Sequence, residues 1–179
     1  MTKEEYRELL DEEVFKGCKG IKLLLRTWRI KKTDPQKLAI IYIRKMQYNA
    51  SQPGKVHSYI SQRTHMTLVE TFGMHVSPNA QIGVGLHIPH PTGIVIGNSV
   101  VIGNYCSIYQ GCTIGGARTG DVKKNNQPVL GNKCVLFSGS MVLGAIRVTD
   151  DVTIAANSCL LSDAIEPGVY AGSPARKVK

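Results

Sequence analysis

The sequence predicts a mainly β fold, in which a parallel β-helix follows an N-terminal α-helical region. Three observations predict it. An aliphatic residue recurs every six positions beyond residue 73, and glycine often follows it. The chain of 179 residues has 18 glycines but only 6% aromatic residues, which favours a repetitive fold over a large aromatic core. The first 72 residues instead have apolar residues at helical spacing.

The six-residue period defines the second part of the chain, residues 73–179. A period of six fits neither an α-helix nor an array of hairpins, but it fits a triangular coil with one short strand on each side. Each aliphatic side chain is expected to point inward, and each following glycine to help the chain turn a corner. The aliphatic positions are Val76, Ile82, Ile88, Ile96, Ile102, Ile108, Ile114, Leu130, Leu136, Val142, Val148, Ile154 and Leu160.

The first part, residues 1–72, is predicted to contain several helices. Thr2 and Glu5 have the spacing of a capping box. Asp34 followed by Pro35 marks a second helix start, and Gly73 ends the last helix. We expect this region to pack on the coil or to help assemble subunits.

Positive charge is concentrated in this helical part. The formal net charge is +9, and 14 basic against 8 acidic residues precede position 71. The excess clusters in residues 16–32, so a basic face is open to nucleic acid, a membrane surface or an anionic small molecule. The cations of this stretch alternate with leucines of the kind found in protein cores. An ordinary helix surface exposed to solvent is therefore an equally good interpretation of the stretch. Nucleic-acid binding has only net charge in its favour, and we expect no nucleic-acid partner.

The composition also limits the cellular locations and the kinds of site that we expect. No apolar run reaches the length of a membrane span, and the charged first residues lack the apolar centre of a signal peptide, so a cytoplasmic location is expected. Five cysteines without a CxxC pair predict neither a disulfide framework nor a zinc ribbon. A β-helical metalloenzyme needs histidines from several coils, yet every histidine lies at or before His90, so no metal site is predicted.

The six-residue period is broken twice. Ile88 to Ile96 takes eight residues, and His90 lies in that interval between two prolines. Ile114 to Leu130 takes sixteen, so about residues 118–128 must leave the coil as an extruded loop. A regular scaffold interrupted at a single histidine is typical of a functional site, with a simple turn residue as the alternative.

Three motifs carry a resemblance to a known family. They are His90-Pro-Thr-Gly-Ile-Val-Ile-Gly97, Thr113-Ile-Gly-Gly116 before the loop, and Ala171-Gly-Ser-Pro-Ala-Arg176 near the end. With the repeats, they resemble the hexapeptide-repeat acyltransferases, and among these serine acetyltransferase and its relatives. The resemblance implies a left-handed parallel β-helix, a homotrimer with active sites between subunits, and acetyl-CoA as the donor. Pairing of two trimers through the N-terminal helices is a further expectation.

The resemblance also implies roles for individual residues. His90 is the expected catalytic base, since an imidazole titrates near neutrality. Backbone N–H groups of Gly115 and Gly116 are expected to stabilise an oxyanion. The residues expected to bind acetyl-CoA are those two glycines, Ser138 and Ala156 along the pantetheine arm, and Arg176 and Lys179 near the phosphates.

Four positions depart from the serine acetyltransferase pattern, all of them at the expected acceptor site. Pro89 and His75 stand where that family has aspartates, and Asn126 and Gln127 stand where it has an Arg-His pair. The acceptor is therefore left open between serine or a similar small polar molecule and a sugar hydroxyl, as in surface or capsular polysaccharide biosynthesis. A binding or scaffold protein without enzymatic activity is the third alternative.

Overall fold

The computed structural model describes residues 1–179, which begin with four α-helices. Helix α1 spans Lys3–Leu10 and continues as a π-helical turn, Asp11–Phe15. Helices α2, α3 and α4 span Gly20–Thr33, Pro35–Ala50 and Lys55–Phe72. None of the helices combines the length and the hydropathy needed to cross a lipid bilayer.

The predicted helix signals act where they were expected. The Thr2 hydroxyl accepts a hydrogen bond from the Glu5 N–H group, and the Glu5 carboxylate accepts one from the Thr2 N–H group. The Asp34 carboxylate caps α3, with Pro35 at its first position. Gly73 ends α4 in the left-handed conformation, which only glycine adopts without strain.

The rest of the chain consists of fourteen short strands. In chain order, β1 to β14 are His75–Val76, Gln81–Ile82, Val95–Ile96, Val101–Ile102, Ser107–Ile108, Thr113–Gly115, Val129–Leu130, Val135–Leu136, Met141–Leu143, Arg147–Val148, Val152–Ile154, Cys159–Leu160, Gly168–Gly172 and Ala175–Lys177.

These strands form three sheets, one for each side of a triangular coil. Sheet A has the order β1-β3-β6-β9-β12, sheet B has β2-β4-β7-β10, and sheet C has β5-β8-β11-β13-β14. All neighbouring strands are parallel except β13 and β14, which form an antiparallel hairpin. Since the chain visits A, B and C in turn, each coil has a C–A corner, an A–B corner and a B–C corner.

The core is the predicted column of aliphatic side chains inside the coil. Ile96, Ile114 and Val142 occupy paired positions on successive strands of sheet A and are at most 1% exposed. The same continuous core of 29 buried residues includes Ile43 and Leu68 of the helices. The helical region therefore shares its core with the coil, and the division into units 1–72 and 73–179 stays a prediction.

The glycines that follow the aliphatic residues have a different role from the predicted one. At most corners the left-handed residue lies three positions after the aliphatic residue, as Tyr105 and Lys133 do, and at none does it lie directly after it. A methyl group on Gly103 would lie 2.5 Å from the carbonyl carbon of Gly131 in the next coil. Glycine is thus required there because successive coils stack closely, and not because the chain turns.

A buried ion pair fixes the helices to the first coil. The Arg44 guanidinium in α3 binds the Glu13 carboxylate, and both side chains are at most 1% exposed. Arg44 also donates to the carbonyl oxygens of Ile82 and Gly83, while Glu13 accepts from the Gly85 N–H group at 3.0 Å. Each charge is therefore fully hydrogen-bonded, which a buried pair requires.

We predict that Arg44→Met lowers the free energy of unfolding by about 3–5 kcal/mol, because it leaves the buried Glu13 carboxylate without its counter-ion. Urea denaturation followed by circular dichroism measures the loss. The control is Lys37→Met, which breaks the partly exposed pair with Asp34 in the same helix and should cost about 1 kcal/mol or less. Equal losses in the two variants would contradict the role given to Arg44.

Candidate active site

The first break in the repeat places His90 outside the coil. At the C–A corner of later coils, the left-handed glycine follows the inward aliphatic residue by three positions, as Gly111 follows Ile108. In the first coil the corresponding glycine, Gly93, follows Ile88 by five. The two surplus residues are therefore inserted before the turn, where they cannot enter the close-packed interior, and His90 is exposed.

The ring of His90 lies beside an aromatic ring. Its ring lies 6.3 Å from that of Tyr109, and Tyr109 lies 5.0 Å from Phe137 on the next coil, centroid to centroid. We call Tyr109 and Phe137 the aromatic pair. No hydrogen bond within the chain engages the imidazole of His90, while its backbone carbonyl accepts one from the Thr92 N–H group at 2.8 Å. The neighbouring Pro89 is half-buried and brings no charge.

The same C–A corner carries the residues expected along a pantetheine arm. Ser138 and Ala156 lie at this corner in successive coils, half-buried and exposed respectively. The corner continues to the end of the chain, since the Gly172 N–H group donates to Ser158 Oγ at 3.0 Å.

Two cations of the terminal hairpin are available beyond this corner. Arg176 and Lys179 are exposed. Lys177, between them, pairs with Glu166 at 2.6 Å, and this hydrogen bond holds the pKa of the Glu166 carboxyl below its usual range.

A second group of predicted residues lies at the A–B corner. Gly115 ends β6, and the extruded loop occupies the interval from Gly116 to β7. The Asp121 carboxylate closes this loop by accepting from the Arg118 and Ala117 N–H groups and from the Asn126 amide. These hydrogen bonds, with that from Arg118 the largest cause, hold the pKa of the Asp121 carboxyl below its usual range.

Two polar groups in this second region have no partner within the chain. Gln127 is only 6% exposed, yet neither polar atom of its amide has a hydrogen-bond partner. The Gly116 N–H group also donates no hydrogen bond within the chain. The half-buried Gly116 N–H group is suited to receive a ligand or a neighbouring subunit, whereas the polar atoms of Gln127 are inaccessible as well as unpaired.

His75 lies apart from both groups. It is on β1 of sheet A, and its ring meets that of His65 in α4 edge to face, with centroids 6.2 Å apart. Burial, with a smaller contribution from the His75 imidazole, lowers the pKa of His65. No hydrogen bond joins His75 to His90 within one chain.

One chain thus brings the predicted residues together at two corners rather than at one. His90, Pro89, Ser138 and Ala156 share the C–A corner, while Gly115, Gly116, Asn126 and Gln127 share the A–B corner. No group of three or more metal-ligating side chains is close enough to hold a metal ion. The sequence reasoning missed the aromatic pair, although each member directly follows an inward aliphatic residue at the C–A corner.

Curated relatives of this chain are serine acetyltransferases. The protein of Helicobacter pylori is 45% identical over 106 residues, which cover 59% of this chain and 61% of the relative. That of Synechococcus elongatus is 37% identical over 115 residues, which cover 64% of this chain and 46% of the relative. The chain therefore spans less than two thirds of the length of these relatives. No protein-family model matches it.

Solved structures give the same result over nearly the whole chain. A serine acetyltransferase in complex with CoA superposes with a TM-score of 0.76 at 26% identity, over 98% of this chain and 71% of that one. Soybean serine acetyltransferase complexed with serine gives 0.80 at 25%, over 97% and 69%. These neighbours have the left-handed β-helix, which confirms the predicted fold class. The chain is therefore similar to serine acetyltransferases, and it shares the hexapeptide repeats and the left-handed β-helix of these structural neighbours.

Proposed function

We propose that this chain is an acetyl-CoA-dependent O-acetyltransferase whose acceptor is the hydroxyl of serine or a similar small polar molecule. The observation that carries the proposal is the position of His90. It is an exposed, unpaired imidazole at the break of a scaffold that resembles serine acetyltransferases. One of these neighbours was solved with CoA and another with serine.

In the proposed reaction His90 acts as the general base. Its imidazole removes the proton of the acceptor hydroxyl while that oxygen attacks the carbonyl carbon of the thioester. The new carbon–oxygen bond forms, the carbon–sulfur bond breaks, and the imidazolium returns the proton to the leaving thiolate. The products are an acetyl ester and CoA, and His90 is regenerated neutral.

The groups around the reaction support this chemistry. The free N–H group of Gly116, with Gly115 beside it, suits the oxyanion that develops on the thioester carbonyl. Small side chains at Ser138 and Ala156 leave room along the C–A corner for an extended pantetheine arm. Arg176 and Lys179 provide positive charge for the phosphates of CoA at the end of that corner.

A homotrimer completes this site. His90 and Gly116 lie at different corners of one triangular coil, so one copy cannot direct both at the same carbonyl group. Rotational symmetry would set the C–A corner of one copy against the A–B corner of the next, as a heterologous interface requires. Pairing of trimers through the N-terminal helices and a cytoplasmic location stay predictions.

We predict that His90→Ala lowers kcat/KM for acetyl transfer by about 10²–10⁴-fold, the usual contribution of a general base. Release of CoA, measured with a thiol reagent, reports the rate. The control is His87→Ala, which removes another exposed imidazole three residues away, one that faces Ser107. Full activity in the His90 variant would contradict the assigned role.

A mixing experiment tests whether the site is shared between subunits. His90→Ala and Gln127→Ala chains, each of which we expect to be impaired alone, are unfolded together and refolded as hybrids. If every site combines His90 of one subunit with Gln127 of the next, about one quarter of the sites in random hybrids are intact and activity returns. No recovery above the sum of the separate proteins would mean that one chain holds the complete site.

A sugar hydroxyl is the second candidate acceptor, and the aromatic pair favours it. Serine carries a carboxylate and an ammonium group, whereas Pro89, Asn126 and Gln127 offer no charge to pair with them. The rings of Tyr109 and Phe137, next to His90, provide an apolar face of the kind that packs against the C–H groups of a sugar ring.

We predict that, for a sugar acceptor, Phe137→Ala raises KM for the sugar by about 2–10-fold, the usual value of an aromatic contact, and leaves KM for acetyl-CoA unchanged. Acetylation of serine and of a panel of hexoses and hexosamines gives both constants. Tyr105→Asn is the control, since it removes an exposed ring from the B–C corner. A higher kcat/KM for serine than for every sugar would reject this second candidate.

A further inference from the structure

Helix α2 exposes an apolar stripe that nothing in the chain covers. Ile21, Leu24, Leu25 and Trp28 are between 62% and 73% exposed. Their spacing of three and four residues puts them on one face of the helix. The opposite face carries Ile30, which is 4% exposed and packs in a small core with Leu10, Val14 and Ile40. Leu24 and Leu25, which the sequence pattern suggested to be core residues, therefore do not lie in the core.

Cations border this stripe. Helix α2 contains five basic residues and no acidic one, namely Lys22, Arg26, Arg29, Lys31 and Lys32. A groove of about 690 Å³ runs between α2 and the start of α3, lined in part by Lys22, Arg29 and Lys37. Its one carboxylate, Asp34, already pairs with Lys37 at 2.6 Å.

Two of the groove cations are free to bind an anion. The Arg26 guanidinium is occupied by the Val14 carbonyl oxygen at 2.7 Å and by Cys18 Sγ at 3.4 Å. The side chains of Lys22 and Arg29 have no hydrogen-bond or ion-pair partner within the chain. They lie on the border of the apolar stripe, at the depth where lipid phosphates would meet a helix lying in the interface.

The charge pattern of α2 favours an anionic lipid surface over a second copy of this chain as its partner. A symmetric contact of α2 with α2 would bring the same five cations together without an acidic residue between them, which is repulsive. An apolar face with tryptophan and leucine, flanked by lysine and arginine, is instead the pattern of helices that lie in the plane of a membrane surface. Anionic headgroups satisfy both features at once.

We infer that α2 is an interfacial helix that docks the protein on anionic phospholipid. The stripe of Ile21, Leu24, Leu25 and Trp28 enters the acyl boundary, and Lys22 and Arg29 bind headgroup phosphates. This inference rests on α2 alone and is independent of the proposed acetyl transfer.

Trp28 provides a direct readout, since it is the one tryptophan of the chain. The full chain is mixed with vesicles of phosphatidylcholine containing 30% phosphatidylglycerol, or with pure phosphatidylcholine vesicles, and separated by flotation. We expect flotation and a blue shift of Trp28 emission with the anionic vesicles only, both weakened by salt. Equal binding to the two vesicle types would overturn the role of Lys22 and Arg29.

Three variants separate the apolar and the ionic contributions. Leu24→Gln with Leu25→Gln, on exposed positions that leave the core intact, should lower vesicle partitioning about tenfold or more. Lys22→Glu with Arg29→Glu should do the same. The matched control is Lys123→Glu with Lys124→Glu, which reverses as many exposed charges on the extruded loop and should leave partitioning nearly unchanged.

Two outcomes would overturn the inference. One is undiminished vesicle binding by the Leu24/Leu25 variant, which would mean that the stripe does not enter the lipid. The other is no vesicle binding by the unmodified chain. If that chain also forms a larger assembly than the Leu24/Leu25 variant, measured by sedimentation, the stripe is assigned to contact between copies of the chain.

Discussion

The close stacking of the triangular coil is the constraint on which the rest of the structure depends. Most strands have only two or three residues and pair with strands of neighbouring coils, and an aliphatic residue from each side, with smaller buried residues, fills the interior. Gly103 and Gly131 show how little space remains, since even a methyl group would meet the next coil. Any residue beyond six per side must therefore leave at a corner. His90 and the loop closed by Asp121 are such surplus residues, which is why the candidate chemistry lies outside a regular scaffold.

The two departures from the repeat occur at different corners, and this has a consequence for assembly. Within one chain, the exposed His90 imidazole and the unpaired Gly116 N–H and Gln127 amide groups lie on separate edges of the coil. In the proposed reaction each edge is an incomplete site: one would have the base without an oxyanion donor, and the other the donor without a base. The proposed rotationally symmetric oligomer would complete the site at one interface, since it would bring the two edges together.

The sequence was sufficient for features that depend on local spacing, and insufficient for those set by distant contacts. The period of six identified the inward positions from Val76 to Leu160, and the caps at Thr2, Asp34 and Gly73 are where they were predicted. The corner role of glycine was wrong because it depends on the separation between coils, which the linear pattern does not contain. The aromatic pair was missed, and the burial of the predicted site residue Gln127 without a partner was not foreseen, for the same reason: residues of successive coils meet only after the chain has closed several turns.

Helix α2 shows this limit most clearly, because the sequence revealed its apolar face but not what covers that face. Spacing of three and four residues specifies an apolar face, yet it does not say whether protein, lipid or a second copy covers that face. The structure shows which face the protein itself covers. Ile30 is buried, whereas Leu24, Leu25 and Trp28 are exposed. Arg44 in the adjacent α3 donates to the carbonyl oxygens of Ile82 and Gly83 and so joins the helical region to the first coil. A surface that binds α2 would therefore also hold the coil, and with it the corner of His90.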